Sequence, residues 1–124
     1  HTPTGISAEA SERRSQAENR QVALKRLRLT LAVEHREPAE MQASRAWRKR
    51  VRDQRLVISV EHEDFPAIVA EALDQLQAAG FEIPPGAQKL GVTATQLVRL
   101  LKKCPAAWVA LNNGRKRLGL RLLH

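Results

Sequence analysis

The chain has 124 residues, with 21 Lys and Arg against 13 Asp and Glu, a formal net charge of +8 and an isoelectric point near 10.8. That balance favours a polyanionic partner, either nucleic acid or an acidic membrane surface. No run of about 18 apolar residues exists to span a bilayer, no signal-peptide pattern is visible, and the single Cys104 permits no intrachain disulfide. A cytoplasmic, reducing setting is the expectation.

Charge is also blocked along the chain. Residues 1–60 carry 13 basic and 7 acidic side chains, residues 61–84 carry 6 acidic and none basic, and residues 85–124 carry 8 basic and none acidic. Two readings stay open. Either the acidic block neutralises its neighbours within one fold, or it spaces two polyanion-facing surfaces.

In chain order, Pro3-Thr4-Gly5 reads as a turn, and Ile6 to Ala10 alternates apolar and polar as a short half-buried strand does. Ser15 with Glu18 three residues on has the form of a capping box opening a helix to about Val33. Leu24, Leu27 and Leu31 recur at helical spacing and predict its buried stripe, with Arg20, Lys25, Arg26 and Arg28 around it. One strand and one helix cannot cover such a stripe, so the expected sheet lacks partners.

His35 to Glu40, containing Pro38, reads as a linker, and Met41 to Arg55 as a second helix with a basic face. On it Arg45, Arg48, Lys49, Arg50 and Arg52 are candidate RNA contacts, since a flexible basic segment can order on binding RNA. The plainer alternative is a solvated basic helix anchored by Trp47. Leu56 to Val60 is either a strand or the approach to the next helix. There Asp64 offers an N-cap, Pro66 fits the first turn, Phe65, Ile68, Val69, Ala72, Leu73 and Leu76 form the core face, and Gly80 marks the stop.

Residues 85–103 predict a short helix, a turn at Gly91 and a second helix opened by Thr93 with Gln96. Ala87, Leu90, Gly91, Val92, Leu97 and Leu100 match the small, apolar and glycine positions of a helix-turn-helix, although Gly86 stands where a larger apolar residue is usual. On that template Thr95, Gln96 and Arg99 face outward towards nucleic acid. The alternative is a packing unit that reads no bases. A last helix begins at Pro105 and ends near Asn112-Asn113-Gly114, after which the leucines of the tail fold back.

Catalytic and metal chemistry is not legible. The four histidines have no ligand spacing, one cysteine builds no zinc site, and no phosphate-binding glycine loop occurs. No cofactor, metal or catalytic residue is assigned.

The opening residues His1, Pro3-Thr4-Gly5-Ile6, Glu12-Arg13, Ser15-Gln16 and Asn19-Arg20, followed by an apolar and basic helix, resemble the catalytic domain of class I peptide chain release factors. The release-factor-like peptidyl-tRNA hydrolases that rescue stalled ribosomes share this pattern. The pair Arg13-Arg14 departs from it by one residue, and the likeness covers about residues 1–33. It implies partners in the ribosome, ribosomal RNA and peptidyl-tRNA, with Arg13, Arg14, Gln16, Asn19 and Arg20 supporting the domain or touching RNA. In that family a Gly-Gly-Gln loop brings water to the peptidyl-tRNA ester by positioning and oxyanion stabilisation. No Gly-Gly-Gln occurs in these 124 residues, so an upstream part carrying it is expected, and hydrolysis by this chain alone is not.

The expectation is therefore an α+β, mostly helical protein. Residues 1–37 form the C-terminal part of a release-factor-like domain (strand plus long helix), 38–55 a basic linker or helix, and 56–124 a helical bundle with the helix-turn-helix-like unit. Translation termination or ribosome rescue is the expected function, codon-independent since no stop-codon-reading domain is visible. A helix-turn-helix DNA-binding regulator is the alternative.

Overall fold

The structure, a computed structural model, describes the backbone of residues 3–124 and the side chains of residues 15–124. Among the described residues there are six helices: α1 (Pro3–Glu34), α2 (Arg45–Arg48), α3 (Phe65–Ala78), α4 (Ile83–Leu90), α5 (Ala94–Lys102) and α6 (Pro105–Arg117). One antiparallel hairpin joins β1 (Val51–Arg52) to β2 (Arg55–Leu56). The protein is mostly helical with a small two-stranded sheet.

The strand expected over Ile6–Ala10 is not formed. Helix α1 already begins at Pro3 and passes through Ser15 and Glu18, so these do not open it. A five-residue alternation needs a ladder partner to become a strand, and the run Ala8-Glu9-Ala10 favours helix without one. The helix expected over Met41–Arg55 is likewise reduced to the four residues of α2, because the chain turns back at Asp53-Gln54. Both turn residues take left-handed backbone, φ 51° and 63°, as a two-residue hairpin turn with the right twist demands.

The core is organised around α3. Its Phe65, Ile68, Val69, Ala72, Leu73 and Leu76 are buried as the periodicity predicts, and α1, α4, α5 and α6 all pack against it. Asp64 does not cap α3: its backbone is helical and its side chain bonds elsewhere. After α3 the chain reverses through Gly80 and Phe81, both left-handed, with the Phe81 amide donating to Leu76 O at 2.7 Å. Gly86 is buried where α4 crosses α3, and a Cβ there would lie 2.9 Å from Leu76 Cδ2. That close crossing explains why no larger residue stands in this position.

Helix α6 continues through Asn112-Asn113-Gly114 instead of ending there. Gly114 lies flush against the Phe81 ring, which a Cβ would approach to 2.6 Å. Asn112 then clasps the tail, donating from Nδ2 to Leu123 O at 3.0 Å and accepting from Leu123 N at 2.8 Å. Leu120 and Leu123 are half-buried, while Leu118 and Leu122 are exposed. Cys104 is buried at the start of α6.

Helix α1 buries a different face from the one its leucines predict. Leu29 and Val33 pack on the core, whereas Leu24, Leu27 and Leu31 are 50, 53 and 54% exposed. At about 100° per residue these two sets lie on opposite sides of the helix. Gln16 and Arg20 fall on the outward, leucine-bearing side.

Candidate nucleic-acid interface

Residues 44–58 hold the basic side chains, and the fold anchors this segment firmly. Ser44 caps α2 by accepting from Trp47 N at 3.1 Å, and its own N–H donates to Glu71 Oε2 at 2.7 Å. The Trp47 side chain is fully buried and donates from Nε1 to Leu90 O at 2.7 Å. Beyond the hairpin turn the chain runs along α5. Thr93 N donates to Gln54 O at 3.1 Å, Leu56 N to Gln96 Oε1 at 3.3 Å, and Lys103 Nζ to Ile58 O at 3.1 Å. These bonds tie the segment to α3, α4 and the two ends of α5.

Helices α4 and α5 are joined by a turn at Gly91. Gly91 closes α4 in left-handed backbone at φ 72°, and Thr93 Oγ1 accepts from Gln96 N at 3.2 Å to cap α5. The reciprocal half of the capping box is missing, because the Gln96 side chain serves the hairpin instead.

The residues singled out from sequence separate into four groups. Arg13 and Arg14 lie outside the described side chains. Gln16, Asn19 and Arg20 are exposed together on α1. Arg45, Arg48, Lys49, Arg52, Thr95 and Arg99 are exposed as a binding surface requires, and among the described residues no carboxylate lies within ion-pair distance of those cations. Arg50 and Gln96 do not face solvent in the manner expected. Arg50 is half-buried and its Nη2 donates to Asp64 Oδ2 at 2.7 Å, while Gln96 is bonded to the hairpin. An amide used to hold the fold is not available to read a base.

Arg55 escaped the sequence reading. It was hidden by the expectation of a continuous helix, and Asp53-Gln54 is a weak turn signal. In the hairpin Arg52 stands directly opposite Arg55, both exposed, while Val51 and Leu56 make the half-buried pair on the other face. Like charges opposite one another disfavour a hairpin, so this pair concentrates positive charge at a cost to local stability.

Three of the six carboxylates of the acidic block bond to the segment before the hairpin, while Glu61, Glu63 and Glu82 are exposed. Asp64 binds Arg50, Glu71 binds Ser44, and Asp74 Oδ1 accepts from Arg36 Nη1 at 2.8 Å and Glu37 N at 3.1 Å. The hydrogen bond from Arg50 holds the Asp64 carboxyl below its ordinary range. Burial acts the other way on Asp74, raising its carboxyl, and it lowers the Arg36 guanidinium against the pull of that carboxylate. Of the two readings of the charge blocks, these contacts favour internal neutralisation. Lys102 is also committed, lying 5.1 Å over the Trp108 ring and donating to His124 O.

No known protein family, curated protein or solved structure matches this chain. Among the described residues no helix is long and apolar enough to cross a membrane.

Proposed function

We propose that the chain is part of a release-factor-like, ribosome-associated protein of translation termination or rescue. The observation that carries this reading is the ordered motif from His1 to Arg20, of which Ser15, Gln16, Asn19 and Arg20 are exposed on α1. Gln16, Arg20, Leu24, Leu27 and Leu31 share one outward strip of α1. Such a strip has the apolar content of a face that packs on a sheet, with polar residues at one end to meet RNA. Arg45, Arg48, Lys49 and Arg52 add sequence-independent affinity through counterion release. The ester-cleaving loop of the family is absent from these residues, so the role of this chain is binding and support. An assay of this chain alone on peptidyl-tRNA is expected to show no hydrolysis, and turnover would overturn that role.

The test is co-sedimentation with ribosomes. The chain pellets with them at about 0.15 M salt and is released as salt rises. A chain that stays in the supernatant while binding duplex DNA overturns the proposal.

The capped α5 with exposed Thr95 and Arg99 also favours a second reading, a helix-turn-helix DNA-binding regulator. Against it stands the internal use of Gln96, which leaves α5 without a free amide for bidentate contact with adenine. A preference for one duplex sequence that Arg99→Ala relaxes would favour the regulator.

A further inference from the structure

The hairpin and α5 carry the surface whose design is least explained by folding alone. Two features of the hairpin work against its own stability. Arg52 and Arg55 face each other across the strands, and two residues other than glycine occupy left-handed backbone at the turn. The surrounding structure holds this arrangement through three hydrogen bonds: Gln54 O accepts from Thr93 N, Leu56 N donates to Gln96 Oε1, and Ile58 O accepts from Lys103 Nζ. Arg99, exposed, lies one turn along α5 from Gln96, the residue that receives the hairpin. The basic side chains that the sequence placed on separate segments, about fifty residues apart, are thereby joined on one body.

The chemistry of this face narrows its ligand. Single-stranded nucleic acid is held by aromatic side chains on which bases stack. This face has none: Trp47 and Phe65 are buried, Trp108 lies under Lys102, Phe81 packs at Gly114, and the chain has no tyrosine. Base reading in a groove requires free amides or paired arginine forks on the inserted helix, and Gln96 is already bonded. What remains is a set of exposed guanidinium groups on a braced backbone, and such groups suit phosphate oxygens geometrically as well as by charge. A-form stems are bound by shape and phosphate contact in this way.

We infer that the outer face of the β1–β2 hairpin and the adjoining side of α5, carrying Arg52, Arg55 and Arg99, bind the phosphate backbone of a double-helical RNA stem without reading its bases. The inference rests on the reading that RNA is the partner, and it adds which surface engages which form of RNA. Arg55 and Arg99 work with Arg52 as one group.

The experiment titrates the full chain into a fluorescent RNA stem of about 16 base pairs, the DNA duplex of the same sequence, and the single RNA strand. Anisotropy is read over about 0.05–0.2 M salt. The stem binds tightest, and shuffling its sequence changes nothing. Arg52→Gln with Arg55→Gln lowers the slope of log affinity against log salt by about two, and Arg99→Gln by about one. The charge-preserving Arg52→Lys with Arg55→Lys keeps the parent slope, which separates charge from folding. Unshifted slopes in the glutamine variants, loss of slope in the lysine variant, or tighter binding of the DNA or of the single strand each overturn the inference. Ribosome co-sedimentation in parallel keeps the two readings apart. Stem binding that shifts as stated, without ribosome pelleting, overturns the release-factor reading alone. Pelleting with unshifted slopes overturns this surface alone.

Discussion

The indole of Trp47 ties the basic segment to the helical core, donating to a carbonyl at the end of α4 from a fully buried position. Trp47→Phe keeps most of the apolar volume and strands the Leu90 carbonyl, costing about 1–3 kcal/mol, whereas Trp47→Ala costs about 3–5 kcal/mol. Urea unfolding measures both. The two buried glycines make a second comparison. Gly114→Ala drives a methyl into the Phe81 ring, which Arg115 helps to fix by donating to Phe81 O at 2.8 Å, while Gly86→Ala meets the movable end of Leu76. The first variant loses about 1–3 kcal/mol by overpacking and the second less, as denaturant midpoints will show. Acid stability divides similarly between two carboxylates. Asp64 keeps its charge to lower pH when folded than when unfolded, so its contribution is present above the ordinary carboxylate range and lost as pH falls through the folded value. Asp74, raised by burial, takes up its proton first in the folded chain and offsets part of that loss. Melting curves between about pH 5 and 2 therefore flatten in Asp64→Asn and steepen in Asp74→Asn.

At the scale of elements, the hairpin and α1 each sacrifice local stability. Gln54→Gly removes a left-handed strain of about 1 kcal/mol and raises the melting temperature, provided the Thr93 bond to residue 54 persists. Arg55→Thr removes the like-charge pair and adds about 0.2–1 kcal/mol. On α1 the outward strip tests which face the fold uses. Replacing Leu24, Leu27 and Leu31 together by Gln leaves stability within about 0.5 kcal/mol, because each is at least half exposed. Leu29→Ala and Val33→Ala, on the packed side, lower it measurably by the same unfolding assay. The leucine spacing predicted a buried stripe that the structure leaves at least half exposed. It did not identify which side the core would take, because Leu29 and Val33 have the same chemistry at a sparser spacing.

At the scale of the molecule, Asp64, Glu71 and Asp74 of the acidic block are turned inward against Arg50, Ser44 and Arg36, while Arg45, Arg48, Lys49, Arg52 and Arg99 are exposed with no carboxylate, among the described residues, within ion-pair distance. That distribution, more than the net charge, makes a salt-sensitive association with a polyanion the expected behaviour.

The sequence by itself determined the elements whose signals are local. The face of α3 from Phe65 to Leu76, the Gly91 turn and the Thr93 cap of α5 each follow from residues a few positions apart, where periodicity, backbone conformation and capping act directly. The same holds for the basic balance of the chain. Only the tertiary structure decided how those elements are used. Gln96 and Arg50 were withdrawn from the surface by Leu56 and Asp64, forty and fourteen positions away. Arg52 and Arg55 were brought opposite each other by a turn that a helical pattern concealed. The first two outcomes depend on which distant groups compete for one hydrogen bond, and the hairpin on a turn whose residues, Asp53 and Gln54, lack the glycine that marks such turns.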